Sequence, residues 1–194
     1  MLKLESIDVS QLCQLETLMI SDSRIQSIDL SGLSKLTRLT LANNELRSID
    51  LSDQIHLEEL FLNNNNLNSI DLTGLNKLSH INIANNDLET IDLSSQTKVI
   101  ALYLENNNLK SLAPVQHLLD FEDFSFFNIH GNKINLHSLK NKPIHERLLK
   151  KLDKAYDVIG AAYKYHDQSL DYSITIGGEK VSLNGGDVMN ITGT

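Results

Sequence analysis

The tripeptide Ser-Ile-Asp recurs along this chain every 21 residues. It occupies residues 6–8, 27–29, 48–50 and 69–71, and Thr-Ile-Asp follows at 90–92. A fixed period of this length is the sequence signature of a solenoid, in which each unit packs only against its neighbours. The period therefore predicts a stack of short, similar units instead of one globular core.

Apolar residues at fixed offsets define the repeating unit. The clearest copy reads L-x-x-L-x-L-x-x-N-x-L and consists of Leu36, Leu39, Leu41, Asn44 and Leu46. Further copies begin at Leu15, Leu57, Leu78, Val99 and, after a step of 25 residues that contains Pro114, at Phe124. The Leu-x-Leu alternation has a period of two, which predicts a short strand with one buried face. Proline suits the first turn of a helix, so we expect a short helix in the longer step.

This pattern resembles the leucine-rich repeat family over roughly residues 2–139. The resemblance implies an α/β fold, a right-handed curved horseshoe with a parallel β-sheet on its concave face. We interpret residues 1–142 as the repeat domain, with about six repeats and an N-terminal half repeat that includes Leu4. Residues 143–194 are predicted to form a C-terminal capping helix, a β-hairpin around Gly177-Gly178 and a mobile tail.

Two polar columns accompany the leucines. The Asn column is predicted to be structural, because an amide can both donate to and accept from backbone groups where the chain turns after each strand. Its members are Asn44, Asn65, Asn86, Asn107 and Asn132, with Ser23 in the first repeat. The Asp column has two interpretations, local turn caps or a cation-binding ladder, and the absence of calcium-type Gly-Asp spacing favours caps. Its members are Asp8, Asp29, Asp50, Asp71 and Asp92.

The candidate binding residues lie between the leucines. The residue between the last two Leu of each strand points away from the core, and the positions two residues before and after it share that face. Exposed methionine and aromatic residues are typical of interfaces, although neighbouring turns can also shield such residues. The predicted partner-binding residues are Met19, Arg38, Glu59, Phe61, His80, Asn82, Tyr103, Phe126, Asn128 and His130.

A second period of 42 residues is superimposed on the first. Leu33 and Leu75 share one offset, and Gln54 and Gln96 take it in the intervening repeats. Bulky residues also occur on alternate strands, at Phe61 for example. We therefore interpret a pair of repeats as the underlying unit.

Charge limits the kinds of partner. The net charge is −8. Residues 1–132 contain 18 acidic and 8 basic side chains, a balance of −10, and residues 133–194 contain 7 and 9, a balance of +2. An acidic solenoid disfavours nucleic acid and anionic membrane and favours a basic protein surface.

Targeting and cysteine usage set further expectations. The start of the chain has no signal-peptide pattern, and no stretch reaches the length of a membrane span, so we expect synthesis as a cytoplasmic protein. Translocation into a host cell by another route is the alternative. We expect a monomer. The single cysteine, Cys13, cannot form a disulfide within the chain and is expected to be a small core residue.

No catalytic motif is present, and neither a cofactor nor a metal is expected. The sequence lacks G-x-S-x-G, a phosphate loop and H-E-x-x-H, and His80 and His130 would lie two strands apart. We therefore predict a non-catalytic protein-interaction module. The repeat type resembles that of injected bacterial effectors, which implies a host protein as partner. The alternative is the recognition fragment of a longer enzyme such as a ubiquitin-ligase-type effector, although the only cysteine, Cys13, lies ahead of the first repeat's strand instead of after the repeats.

Overall fold

A computed structural model describes residues 3–134 together with the backbone of 172–176 and 179–183. Six three-residue strands follow one another in the repeats, and they pair in chain order as one parallel sheet. Each strand residue pairs with the residue at the same position of the next repeat, as Leu39 does with Leu60. The strands are β1 (Thr17–Met19), β2 (Arg38–Thr40), β3 (Glu59–Phe61), β4 (His80–Asn82), β5 (Ala101–Tyr103) and β6 (Phe126–Asn128).

The core lies on the inner side of this sheet. The central residue of each strand is buried, and Leu39, Leu60, Ile81 and Leu102 expose 0% of their surface. Burying such a side chain stabilises a fold by about 1.5–3 kcal/mol. One repeat cannot cover its own apolar face, so this stabilisation depends on the contacts between neighbouring repeats.

The first repeat is covered on one side only. The carbonyl of Leu4 accepts the N–H of Arg24 at 2.8 Å, just as that of Ile25 accepts the N–H of Glu45 at 3.0 Å one repeat later. Cys13 is nevertheless exposed. Its expected place in the core is wrong, because this position of the repeat faces outward, and the equivalent residues Ser34, Ile55 and Asn76 are exposed as well.

The longer step before β6 contains a 3₁₀ helix over Ala113–Asp120. Pro114 lies in its first turn, and Val115, Leu118 and Leu119 are buried beneath it. The short helix predicted from Pro114 is therefore confirmed. It accommodates the extra residues without disturbing the sheet, because Ala101 on β5 still pairs with Phe126 on β6.

Two further strands, β7 (Tyr172–Ile176) and β8 (Glu179–Leu183), pair antiparallel. This is the pairing expected around Gly177-Gly178. The capping helix and the tail lie outside the described residues, and the boundary at 142/143 stays a prediction. Within the part of the chain that the structure describes, no helix has the length and apolarity needed to cross a membrane.

Candidate functional site

The strand register places the predicted binding residues on one surface, which we call the concave face. It consists of three columns that run across the strands. The first is Thr17, Arg38, Glu59, His80, Ala101 and Phe126, and the second is Met19, Thr40, Phe61, Asn82, Tyr103 and Asn128. The third, two residues further along each repeat, is Ser21, Ala42, Asn63, Ala84, Glu105 and His130.

Exposure varies strongly along these columns. Met19 exposes 64% of its surface, and Phe61 and Tyr103 are half-buried. Three alanines that the sequence places on this face, Ala42, Ala84 and Ala101, are buried instead. A methyl group is too short to reach solvent between longer neighbours, so these positions form the floor of the face.

One ion pair joins β2 to β3 on the concave face. Arg38 Nη2 lies 2.6 Å from Glu59 Oε1. The hydrogen bond to Glu59, helped by its charge, raises the pKa of Arg38. Both side chains remain partly exposed, so the pair links neighbouring strands and leaves each charge with a partner.

The carboxyl group of Glu105, which follows β5, has a different environment from that of Glu59. Its Oε2 atom is buried, and within the described residues it has no hydrogen-bond partner. Burial raises the pKa of Glu105, although its own backbone N–H and the charge of His130 act in the opposite direction. The pKa of Tyr103 is raised as well, first by burial and second by the charge of Glu105. Glu105, Tyr103 and His130 therefore form one electrostatically connected group.

Two asparagines of the second column hydrogen-bond to the backbone N–H two residues later in their own repeats. Asn82 Oδ1 accepts the N–H of Ala84 at 3.1 Å. Asn128 Oδ1 accepts the N–H of His130 at 3.4 Å and lies 2.7 Å from His130 Nδ1. Because Asn128 Oδ1 can only accept, His130 carries its proton on Nδ1 in this arrangement.

No metal centre is formed in the described part of the chain, where no three His, Cys, Asp or Glu side chains converge. A cleft of about 710 Å³ lies beside the starts of the strands, where residues 120–123 before β6 form one wall. Lys77 and Lys98 line it together with Glu122 and Asp123. Its mixed charges select no one class of ligand.

The Asn column lies inside the turns that follow the strands. Asn65 Nδ2 donates to the carbonyls of Leu41 and Leu62 at 2.9 and 3.0 Å, and its Oδ1 accepts the N–H of Leu46 at 3.0 Å. Each side chain thus connects two repeats. The same bonds recur at Asn44, Asn86, Asn107 and Asn132.

A second column of polar residues lies one residue before the buried Asn column in each repeat. Its side chains are exposed, and it was not predicted from the sequence. Its members have positive φ angles between 53° and 58°. Three neighbouring pairs of these side chains are hydrogen-bonded, as Asn64 Nδ2 is to Asn43 Oδ1 at 2.6 Å. The members are Asp22, Asn43, Asn64, Asn85 and Asn106, and Gly131 takes the position in the sixth repeat. The available signal was the Asn-Asn doublet of the second to fifth repeats, since Asn and Gly favour this conformation.

The Asp column caps local turns, as the sequence favoured. In each copy Oδ1 accepts the N–H two residues later at 2.8–2.9 Å, for example Asp50 from Ser52. Bonds from that residue lower the pKa of every Asp in the column. Repulsion between neighbours opposes this lowering where it is felt, as at Asp50 from Asp71.

The 42-residue alternation has a structural basis. Gln54 and Gln96 expose 1% of their surface, and their Nε2 atoms donate to the carbonyls of Leu30 and Leu72 in the preceding repeats, at 2.9 and 2.8 Å. In those preceding repeats the same turn carries a glycine at positive φ, Gly32 for example. A glycine-leucine turn and a glutamine turn therefore alternate along the stack.

Comparison with known proteins connects this fold to bacterial proteins. No family model matches the sequence, and no curated protein matches it. Among solved structures, the functional domain of InlJ from Listeria monocytogenes, which includes a cysteine ladder, is 29% identical with a TM-score of 0.57 over 64% of this chain and 27% of the other. An internalin (inlF) from Listeria monocytogenes is 22% identical with a TM-score of 0.53, over 66% of this chain and 38% of its own.

The fold is a leucine-rich repeat solenoid, which confirms the predicted fold class. The chain is similar in fold to the two bacterial leucine-rich repeat structures named above. It spans 27% and 38% of the lengths of these two chains. Its single cysteine excludes a cysteine ladder like that of InlJ, and asparagines build the ladders here.

Proposed function

We propose that this chain is a non-catalytic protein-interaction module that binds a protein partner on its concave face. The observation that carries the proposal is a difference in burial. Phe61 and Tyr103 are less buried than the leucines of the same strands. The two rings are only half-buried on the outer side of the sheet, although Leu60 and Leu102 beside them are fully buried. Half-exposed aromatic residues on a solenoid sheet are suited to anchor a partner.

The remaining predicted residues surround these rings. Met19 extends the apolar surface toward β1, and Phe126 extends it toward β6. Arg38, Glu59, His80, Asn82, Asn128 and His130 supply polar groups on the same face. An apolar centre with polar groups around it is typical of protein interfaces. We propose further that the partner is a host protein and that the chain acts as a bacterial effector, since the two solved structures compared above are bacterial.

Affinity capture with matched variants tests the concave assignment. The wild-type chain, the double variant Phe61→Ala/Tyr103→Ala and the control Ile55→Ala are immobilised and exposed to candidate lysates. Ile55 is an apolar residue outside the sheet that exposes 52% of its surface. We expect partners identified by mass spectrometry to be retained by the wild type and the control and lost by the double variant. Equal recovery by all three, or equal loss in both variants, contradicts the concave assignment.

A further inference from the structure

Three bulky side chains on the concave face recur at equal intervals. Met19, Phe61 and Tyr103 hold the same position of β1, β3 and β5 in the second column. Successive members lie two strands apart, which is about 9.6 Å at the usual spacing of parallel strands. Thr40 and Asn82 lie between them, so bulky and polar side chains alternate along the column. A peptide that contacts all three bulky side chains must present its own side chains at this interval.

Among the regular peptide conformations, polyproline II matches the interval most closely. It has three residues per turn and a rise of about 3.1 Å per residue, so side chains on one side recur about every 9.3 Å. Over two intervals the mismatch with the column is about 0.6 Å. Seven residues of an α-helix span about 10.5 Å, which gives a mismatch of about 1.8 Å over two intervals. Side chains on one face of an extended strand recur about every 6.6–6.8 Å, which does not match at all.

The polar groups of the second column point to the same conformation. Because an N–H can only donate, the Asn82 atom that lies 3.1 Å from the N–H of Ala84 is the oxygen, and the amide Nδ2 is the group that remains for a ligand. Asn128 has the same orientation, since its oxygen accepts the N–H of His130. Both asparagines are partly exposed, and within the described residues neither Nδ2 atom is a buried group without a partner. The column therefore presents amide donors beside its aromatic rings.

Donors of this kind favour a ligand with free carbonyl groups. The polyproline II backbone has no internal hydrogen bonds, so its carbonyls are free to accept, and proline has no N–H that would need an acceptor. An α-helix uses its carbonyls internally, and an extended strand also presents N–H groups. The carboxylate of Glu59, two residues before Phe61, lies 2.6 Å from Arg38, so its charge is balanced and repels the carbonyls of a ligand less.

We propose that the second column is a binding site for a proline-rich segment of the protein partner in the polyproline II conformation. Met19, Phe61 and Tyr103 pack against successive turns of the segment, and Asn82 and Asn128 donate to its carbonyls. Aromatic-lined surfaces recur in the recognition of such segments, because the ligand is already ordered before it binds. The proposal rests on the proposed function, because it names the chemistry that the concave face recognises.

The experiment uses a synthetic probe, N-acetyl-decaproline amide, titrated into the isotope-labelled full chain at pH 7 and followed by NMR. The probe spans about 31 Å, more than the distance of about 19 Å from Met19 to Tyr103. A Gly-Ser peptide of the same length provides free carbonyls without a preformed conformation, and a helical alanine-rich peptide tests the helix alternative. We expect saturable shifts at the amides of Met19, Phe61 and Tyr103, with a dissociation constant on the order of 100 μM. Both control peptides should bind at least roughly tenfold more weakly.

Protein variants locate the effect. Asn82→Asp replaces the amide donor by an acceptor of the same shape and keeps an oxygen for the N–H of Ala84. This change should weaken binding of decaproline roughly tenfold. Phe61→Ala and Tyr103→Ala should weaken it by a similar factor. Asn66→Asp makes the same change at an exposed position outside the sheet and should leave binding unchanged. Thermal unfolding of each variant verifies that it is folded.

The possible outcomes separate the two proposals. Absent shifts, equal binding of either control peptide, or unchanged binding by Asn82→Asp overturns the proline-rich segment as the ligand. If the capture experiment still depends on Phe61 and Tyr103 in that case, the concave face binds a partner of another conformation. If decaproline binds the column but capture is insensitive to both rings, the subsite stands and the proposed function fails.

Discussion

The side-chain oxygen of Asn65 accepts the backbone N–H of Leu46, one repeat earlier, at 3.0 Å. Asn65 exposes 7% of its surface and also donates to two backbone carbonyls, so its removal leaves several buried polar groups without partners. We expect Asn65→Ala to lower the free energy of unfolding by about 1–3 kcal/mol, measured by denaturant titration. Asn66→Ala, one residue later and exposed, is the control. Equal stability of the two variants would show that the buried ladder contributes nothing.

Substituting two glycines at positive φ distinguishes the cost of backbone strain from the cost of a steric clash. A Cβ on Gly32 (φ 76°) meets nothing within 4 Å, whereas one on Gly131 (φ 68°) lies 2.2 Å from Asn106 Oδ1. We expect Gly32→Ala to cost about 1–2 kcal/mol from the left-handed backbone alone. Gly131→Ala should cost more, because the Asn106 side chain must also move. Thermal unfolding of both variants measures the difference, and a smaller loss at Gly131 contradicts it.

The Asp column predicts sensitivity to acid. Asp50 has a lowered pKa in the folded chain, mainly through the backbone bond from Ser52. Because the pKa of Asp50 is lower in the folded chain than in the unfolded chain, the ionised carboxylate stabilises the fold at pH values above the ordinary pKa of 3.8. This contribution is lost as the pH falls from 3.8 through the lowered pKa. Asp50→Asn keeps an oxygen acceptor but does not titrate. Its unfolding free energy should therefore fall less steeply than that of the wild type in this pH range, and parallel curves would exclude the effect.

Glu105 predicts the opposite dependence. Burial raises its folded pKa above the ordinary value of 4.5, so the folded chain holds a proton that the unfolded chain has released. Its contribution to stability is therefore lost as the pH rises from 4.5 through the raised value. Glu105→Gln should be more stable than the wild type near neutral pH, and the gain should shrink below pH 4.5. Denaturant titrations across this range measure it, and a gain that grows in acid would be inconsistent with a buried carboxylate.

The architecture follows from the sequence because the period fixes the register. When Leu39 and Leu60 hold the same place in successive repeats, they must pair if the repeats stack, and they do. The role of Asp50 as a turn cap could be predicted for a similar reason, since the cap depends only on the backbone N–H two residues later. Local and periodic features of this kind need no knowledge of the rest of the molecule.

Features that depend on what covers a residue could not be predicted in this way. Leu12 holds the position of the buried Leu33, yet it exposes 47% of its surface because one side of its repeat has no neighbour in the described structure. Ala84 has a position on the outer face, yet longer side chains around it bury it. The unpaired oxygen of Glu105 depends on the rotamers of several residues at once, and no spacing in the sequence encodes them.

The contact from Gln54 to the carbonyl of Leu30 has a consequence for altering the length of the array. Removing 42 residues, 52–93, would place Gln96 where Gln54 now lies and preserve this bond. Removing 21 residues, 52–72, would instead set Leu75 against Leu30 and bring Gly74 and Gly32 into adjacent turns. Lengthening or shortening by pairs thus keeps every interface between repeats of a kind that the chain already contains, whereas a single repeat creates a junction for which no side chain was selected.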